Sequence, residues 1–111
     1  MHSKELLKGT LQTIILKLLA DQGKMYGYEI TQRVKELSGG EMLLTEGALY
    51  PTLHKLEAEK LLTTEKVTMG KRVRKYYKLT EAGQSSAAEK MDEFTNFIQM
   101  MHRVLQIDPA F

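Results

Sequence analysis

At 111 residues, 42% of them hydrophobic, the chain is long enough for one small domain and at most one appended element. It has no cysteine, which excludes a disulfide framework and thiolate chemistry and leaves little from which to build a zinc site. The net charge of +2 joins a basic front (14 Lys/Arg against 9 Asp/Glu over residues 1–80) to an acidic rear (2 against 5 over residues 81–111), so the front suits a polyanion and the rear another task.

In chain order, Leu7, Leu11, Ile14, Ile15, Leu18 and Leu19 follow the 3.6-residue period and predict a packing helix over Leu7–Asp21, closed by Gly23. A second helix is expected over Tyr26–Leu37. Gly27, Ile30, Val34 and Leu37 would face inward, Glu29, Gln32, Arg33 and Lys35 outward, and Gly39-Gly40 would end it. After a short connector (Glu41–Leu44) comes the stretch T-E-G-A-L-Y-P-T-L-H-K-L-E-A-E-K-L-L from Thr45 to Leu62. As a helix it sets Leu49, Leu53 and Leu56 on one apolar stripe, with Gly47, Ala48, Pro51, His54, Lys55 and Ala58 opposite and Thr52 at the margin. That face is small, polar or basic, as a helix entering a DNA groove requires. Thr45 is a good N-cap and Glu46 suits the positive end of the helix dipole. Pro51 leaves two readings open: it lies within the helix at a cost of roughly 3 kcal/mol, or the helix begins there. Two helices joined by a tight connector form a helix-turn-helix pattern, which many folds contain.

From Leu61 to Leu79 the β-formers Thr63, Thr64, Val67, Thr68, Val73, Tyr76 and Tyr77 predict a hairpin turning near Met69–Arg72. Six of the 13 residues in Lys66–Lys78 are basic and none is acidic. That exceeds what edge protection needs and points to phosphate. Thr80 then caps a long helix running to about Gln106 and stopped by Asp108-Pro109. Its residues Ala87, Met91, Phe94, Ile98, Met101 and Leu105 are spaced as a heptad seam, with Phe97, Met100 and Val104 beside it. Two readings stand: a second copy covers this wide apolar surface, or the helix folds back fully on its own domain.

Nothing converges into an active site. His2, His54 and His102 are scattered, no metal-ligand spacing or phosphate-cradling glycine motif occurs, and no cofactor is expected. No charged-then-apolar leader and no 18-residue apolar run is found, so a cytoplasmic protein with no membrane role is expected.

The segments Y-G-Y-E-I (Tyr26–Ile30), T-E-G-A-L-Y-P-T-L-H-K-L-E (Thr45–Glu57) and R-K-Y-Y-K-L-T-E-A-G (Arg74–Gly83) together closely resemble the PadR family of bacterial winged-helix transcriptional regulators. The resemblance extends from about Lys8 to Gly83. It implies a mainly α (α+β) winged helix-turn-helix with a C-terminal dimerisation helix, divided as 1–79 and 80–111, with Pro51 inside the recognition helix. It resembles the short subgroup, in which one helix replaces a larger C-terminal domain. Family members repress genes for phenolic-acid detoxification, drug export or stress, and some respond to aromatic effectors. The wing departs from the family pattern G-G-R-x-R-K-Y-Y, reading Met69-Gly70-Lys71-Arg72-Val73-Arg74-Lys75.

The resulting expectation is a homodimeric repressor of a palindromic operator in double-stranded DNA. Thr45, Ala48, Pro51, Thr52 and Lys55 would face the major groove, with Tyr50 and His54 at its edge and Tyr26 near the backbone. Lys71, Arg72, Arg74 and Lys75 would hold phosphate or minor groove. Dimerisation is assigned to Ala87, Met91, Phe94, Ile98, Met101 and Leu105. Phe94 and Phe97 either sandwich a planar aromatic effector between subunits or are ordinary dimer core. A winged helix that binds a protein partner, or a DNA-binding regulator with no effector, are the alternatives.

Overall fold

A computed structural model of the chain describes residues 4–107, and of residue 4 its backbone alone. The elements are α1 (Lys4–Gln22), β1 (Lys24–Tyr26), α2 (Gly27–Leu37), α3 (Glu46–Ala58), β2 (Leu62–Met69), β3 (Arg72–Leu79) and α4 (Glu81–Leu105). The strands form one antiparallel sheet in the order β1-β3-β2. The architecture is mainly helical with a small sheet, a winged helix-turn-helix carrying a long C-terminal helix.

α1 is the hub of the core and packs against α4, β3, α3 and β1. That explains why Leu16 is buried along with Leu11, Ile15, Leu18 and Leu19, although it lies off the apolar stripe expected from the sequence. Leu7 and Ile14 are only half-buried. Around α1 close Ile30 and Val34 of α2, Leu49, Leu53 and Leu56 of α3, and Tyr77 and Leu79 of β3. Burial pushes the Tyr77 phenol above its ordinary pKa, more than the neighbouring Lys75 lowers it, so the ring stays neutral in the core.

Chain punctuation works through local hydrogen bonds. α2 begins where the Tyr26 N–H donates to Glu29 Oε1 at 3.1 Å, which draws Glu29 into a half-buried position rather than the outward one expected. The helix stops at Gly39-Gly40, whose φ values of +65° and +87° favour glycine. Leu37, expected inward, is 62% exposed because the helix is already unwinding into that turn. α3 starts where the Thr45 hydroxyl accepts the Ala48 N–H at 3.2 Å, and Pro51 lies within it, which removes the reading that starts the helix at Pro51. The hairpin turns through Gly70-Lys71 with Met69 paired to Arg72; Gly70, at φ +63°, supplies the positive angle a two-residue loop needs.

α4 begins where the Thr80 hydroxyl accepts the Gly83 N–H at 3.0 Å. Gly83 and Ala87 are buried in the common core, so Ala87 faces its own domain and is not available to the seam assigned to it from sequence. Met91 and Phe94 are half-buried, whereas Ile98 is 38% and Leu105 55% exposed. The helix ends at Gln106 in a left-handed conformation, with the Ile107 N–H donating to the His102 carbonyl at 3.1 Å. The Asp108-Pro109 stop expected from sequence lies outside the described residues. Among the described residues no helix is long and apolar enough to cross a membrane.

Candidate nucleic-acid interface

With Leu49, Leu53 and Leu56 fully buried, the rotation of α3 is fixed and its opposite face is presented to solvent. Thr45, Ala48, Pro51, His54 and Lys55 are exposed there. Thr52 is half-buried, with its hydroxyl donating to the Ala48 carbonyl at 3.1 Å. Tyr50, expected at the groove edge, packs back toward its own domain. It is half-buried over the start of α2, where a methyl on Gly27 would fall 2.9 Å from Tyr50 Cζ and closer still to its hydroxyl. Gly27 thus leaves room for the tip of the Tyr50 ring, which a side chain there would push aside. The Tyr50 ring also lies 6.3 Å from that of His54, tilted by 41°.

The wing charges are spread over more than one face of the hairpin. Lys71 and Arg72 are exposed at the tip. Side chains alternate along a strand, so Arg74 and Lys75 leave β3 on opposite faces. Arg74 lies over the Tyr26 ring at 4.3 Å, and Tyr26 meets Tyr76 edge-on at 5.4 Å and 78°. A hydrogen bond with the Tyr76 side chain raises the Arg74 pKa further, and the guanidinium stays charged throughout. Lys24 lies over Tyr76 at 5.2 Å and pairs with Glu65 at 3.3 Å. Tyr26 is therefore a shelf for Arg74 at the entry to α2. Lys75, on the other face, lies 3.8 Å from Glu57 and 5.4 Å from the Tyr77 ring centre.

Three of these contributors are invisible to sequence reasoning. Glu57 reads as a solvated charge, and Lys24 lies on a three-residue strand too short for alternation to reveal. The stack of Arg74 on Tyr26 depends on the pairing of Tyr26 with Tyr76, a contact between segments far apart in the chain. Among the described residues no group of three or more His, Cys, Asp or Glu could hold a metal ion.

At the far end, Phe94 and Phe97 line a groove of about 440 Å³ between α1 and α4, with Leu6, Gly9 and Thr13 opposite. Phe94 is half-buried in it, against its own chain's α1.

Over residues 15–89 the chain matches the family model described as the transcriptional regulator PadR-like family. It is 36% identical over 86 residues to the transcriptional regulator Rv3488 of Mycobacterium tuberculosis, covering 78% of this chain and 77% of that one. Among solved structures, a transcriptional regulator from Clostridium thermocellum superposes with a TM-score of 0.84 at 25% identity, covering 93% of this chain and 97% of the other. Bacillus subtilis PadR in complex with operator DNA superposes with a TM-score of 0.65 at 32% identity, covering 73% of this chain and 46% of that one.

Proposed function

The chain belongs to the transcriptional regulator PadR-like family, and on that premise we propose that it binds a palindromic operator in double-stranded DNA as a homodimer and represses transcription there. The observation that carries the reading is a helix with a small, exposed outer face (Ala48, Pro51, His54, Lys55) joined to a hairpin tipped by Lys71 and Arg72. α3 would enter the major groove and read base edges through Thr45, Ala48, Pro51, Thr52 and Lys55. The wing tip would take the backbone, giving affinity and register but no sequence preference. Two copies would read half-sites about one helical turn, roughly 34–36 Å, apart. The structure of Bacillus subtilis PadR on operator DNA supports the reading by likeness.

The test is fluorescence anisotropy on a duplex selected from a random pool by the wild-type protein and on the unselected pool. Wild type should prefer the selected duplex and bind both more weakly as salt rises. Replacing Lys71 and Arg72 by alanine should weaken binding to both about equally and flatten log affinity against log salt by roughly 0.9 per lost phosphate contact. An unchanged slope would remove the wing tip from the interface. In vitro transcription from a promoter bearing the selected duplex should fall as protein is added; unaltered or increased output refutes repression.

As a second layer of this reading, a planar aromatic effector would lie in the groove between α1 and α4 beside Phe94 and Phe97, within one chain rather than sandwiched between subunits as the sequence suggested. Phenolic acids and planar drugs added to the assay should release wild type from DNA and leave a Phe94→Ala variant bound. Equal response of the two proteins, or none, would reject the groove as the effector site.

A further inference from the structure

The last turn of α3 and the base of the wing meet at one carboxylate. Glu57 is half-buried, one residue before the end of α3. Its Oε1 lies 3.8 Å from Lys75 Nζ on β3, and its Oε2 accepts a long hydrogen bond from the Thr64 hydroxyl on β2 at 3.5 Å. A single side chain of the recognition helix thus touches both strands of the wing.

The register explains why a negative charge belongs there. Lys75 stands directly opposite Lys66, and like charges so placed across an antiparallel pair repel each other. Glu57 lies against one of the two. The Lys75 ammonium also lies 5.4 Å from the centre of the Tyr77 ring, so it sits between a carboxylate and an aromatic face. The side chains of the pair are 40% and 36% exposed, and water screens most of its contribution to stability. What the contact can set is the angle at which the hairpin leaves the helix.

Resting on the DNA-binding reading above, we propose that Glu57 is a positioning residue: through Lys75 and Thr64 it clamps the wing to the recognition helix, and Lys75 serves this clamp rather than a DNA phosphate. Sequence preference requires α3 in the groove and the wing tip on the backbone together, in one register. Binding to random duplex is mostly electrostatic and tolerates a loose wing. The clamp therefore acts on preference more than on overall affinity.

The probes are the duplex selected by wild type and the unselected pool. Glu57→Gln keeps the shape and an acceptor for Thr64 but removes the charge, at a site outside the core. It should lower the preference for the selected duplex by about tenfold, and Lys75→Met should do the same with no change in salt slope. The double variant should lose no more than either single one, since both break the same contact. Exchanging the charges, with Glu57→Lys and Lys75→Glu together, should restore the preference to within about twofold of wild type. A phosphate ligand cannot be replaced by glutamate in this way. A slope reduced by about 0.9 in Lys75→Met, losses that add, an exchange that restores nothing, or an unaltered preference in Glu57→Gln would each overturn the clamp while leaving DNA binding intact. Absence of any salt-dependent binding by wild type is a different failure, which removes the DNA-binding reading and the clamp with it.

Discussion

At Gly83 the first turn of α4 lies directly on the Leu61 carbonyl. A methyl group there would fall 3.1 Å from the Leu61 carbonyl carbon and 3.2 Å from Leu79 Cδ2, and nearer still to the carbonyl oxygen. That oxygen accepts the Thr80 N–H at 3.0 Å, while the Thr80 hydroxyl donates to the Lys60 carbonyl at 2.7 Å. The neighbours are hydrogen-bonded backbone and cannot yield as a flexible side-chain tip would. Gly83→Ala should therefore destabilise the fold by about 1–3 kcal/mol, read as a drop of several degrees or more in Tm. An unchanged Tm would mean that the start of α4 is not seated on the wing base. At Gly47, by contrast, an added methyl would meet only the Thr45 hydroxyl oxygen at 4.0 Å. The two glycines look alike in a single sequence. What separates them is a carbonyl 22 residues earlier in the chain, and the same kind of distant partner hid the roles of Glu57 and Tyr26.

Elements were legible where their signals are local. Thr45 as cap, the Leu49-Leu53-Leu56 stripe and the Met69–Arg72 turn all depend on residues within a few positions of one another, and each stands where the pattern put it. β1 was missed because three residues between a helix-closing glycine and a new helix carry no period. Pro51 is the case in which pattern alone left two answers. Inside α3 it lacks the N–H that would bond the Gly47 carbonyl, a loss of roughly 3 kcal/mol together with the ring's steric conflict. The residue is exposed, so burial does little to offset that loss, and a local rule broken on a solvent face fits a shape kept for binding. Pro51→Ala should raise stability by about 1–3 kcal/mol and weaken the preference for the selected duplex. Thermal melts and the anisotropy assay check the two halves. A Tm that falls or stays level would show that the helix accommodates the ring without strain, and an unaltered preference would take Pro51 off the binding face.

At the scale of the whole molecule, the apolar seam of α4 is covered along one half and open along the other. Its first half is covered within the chain: Ala87 joins the core, and Phe94 lies along the groove beside α1. Its second half leaves Ile98, Met100, Val104 and Leu105 at 38% to 64% exposure, with Ile107 just past its end at 49%, and the helix contributes to a molecule 54 Å long but only 30 by 21 Å across. A heptad spacing records that residues share a stripe and not which chain covers it, so the division could not be read from sequence. So many neighbouring apolar side chains in water favour association, and a two-fold axis lets the same patch cover itself. Ile98→Glu would set two unpaired carboxylates in that interface, each at a cost of several kcal/mol if buried. Sedimentation at micromolar concentration should then show monomer, with the far-ultraviolet CD spectrum unchanged because Ile98 lies outside the core. Affinity for a selected palindrome should drop at least about a hundredfold, since each half-site would have to be held without the other. If wild type is dimeric and the variant remains so, the interface lies elsewhere; a wild type that is itself monomeric would refute the proposed dimer. One that is monomeric yet binds the palindrome as tightly as wild type would show that the two half-sites are not read as a linked pair.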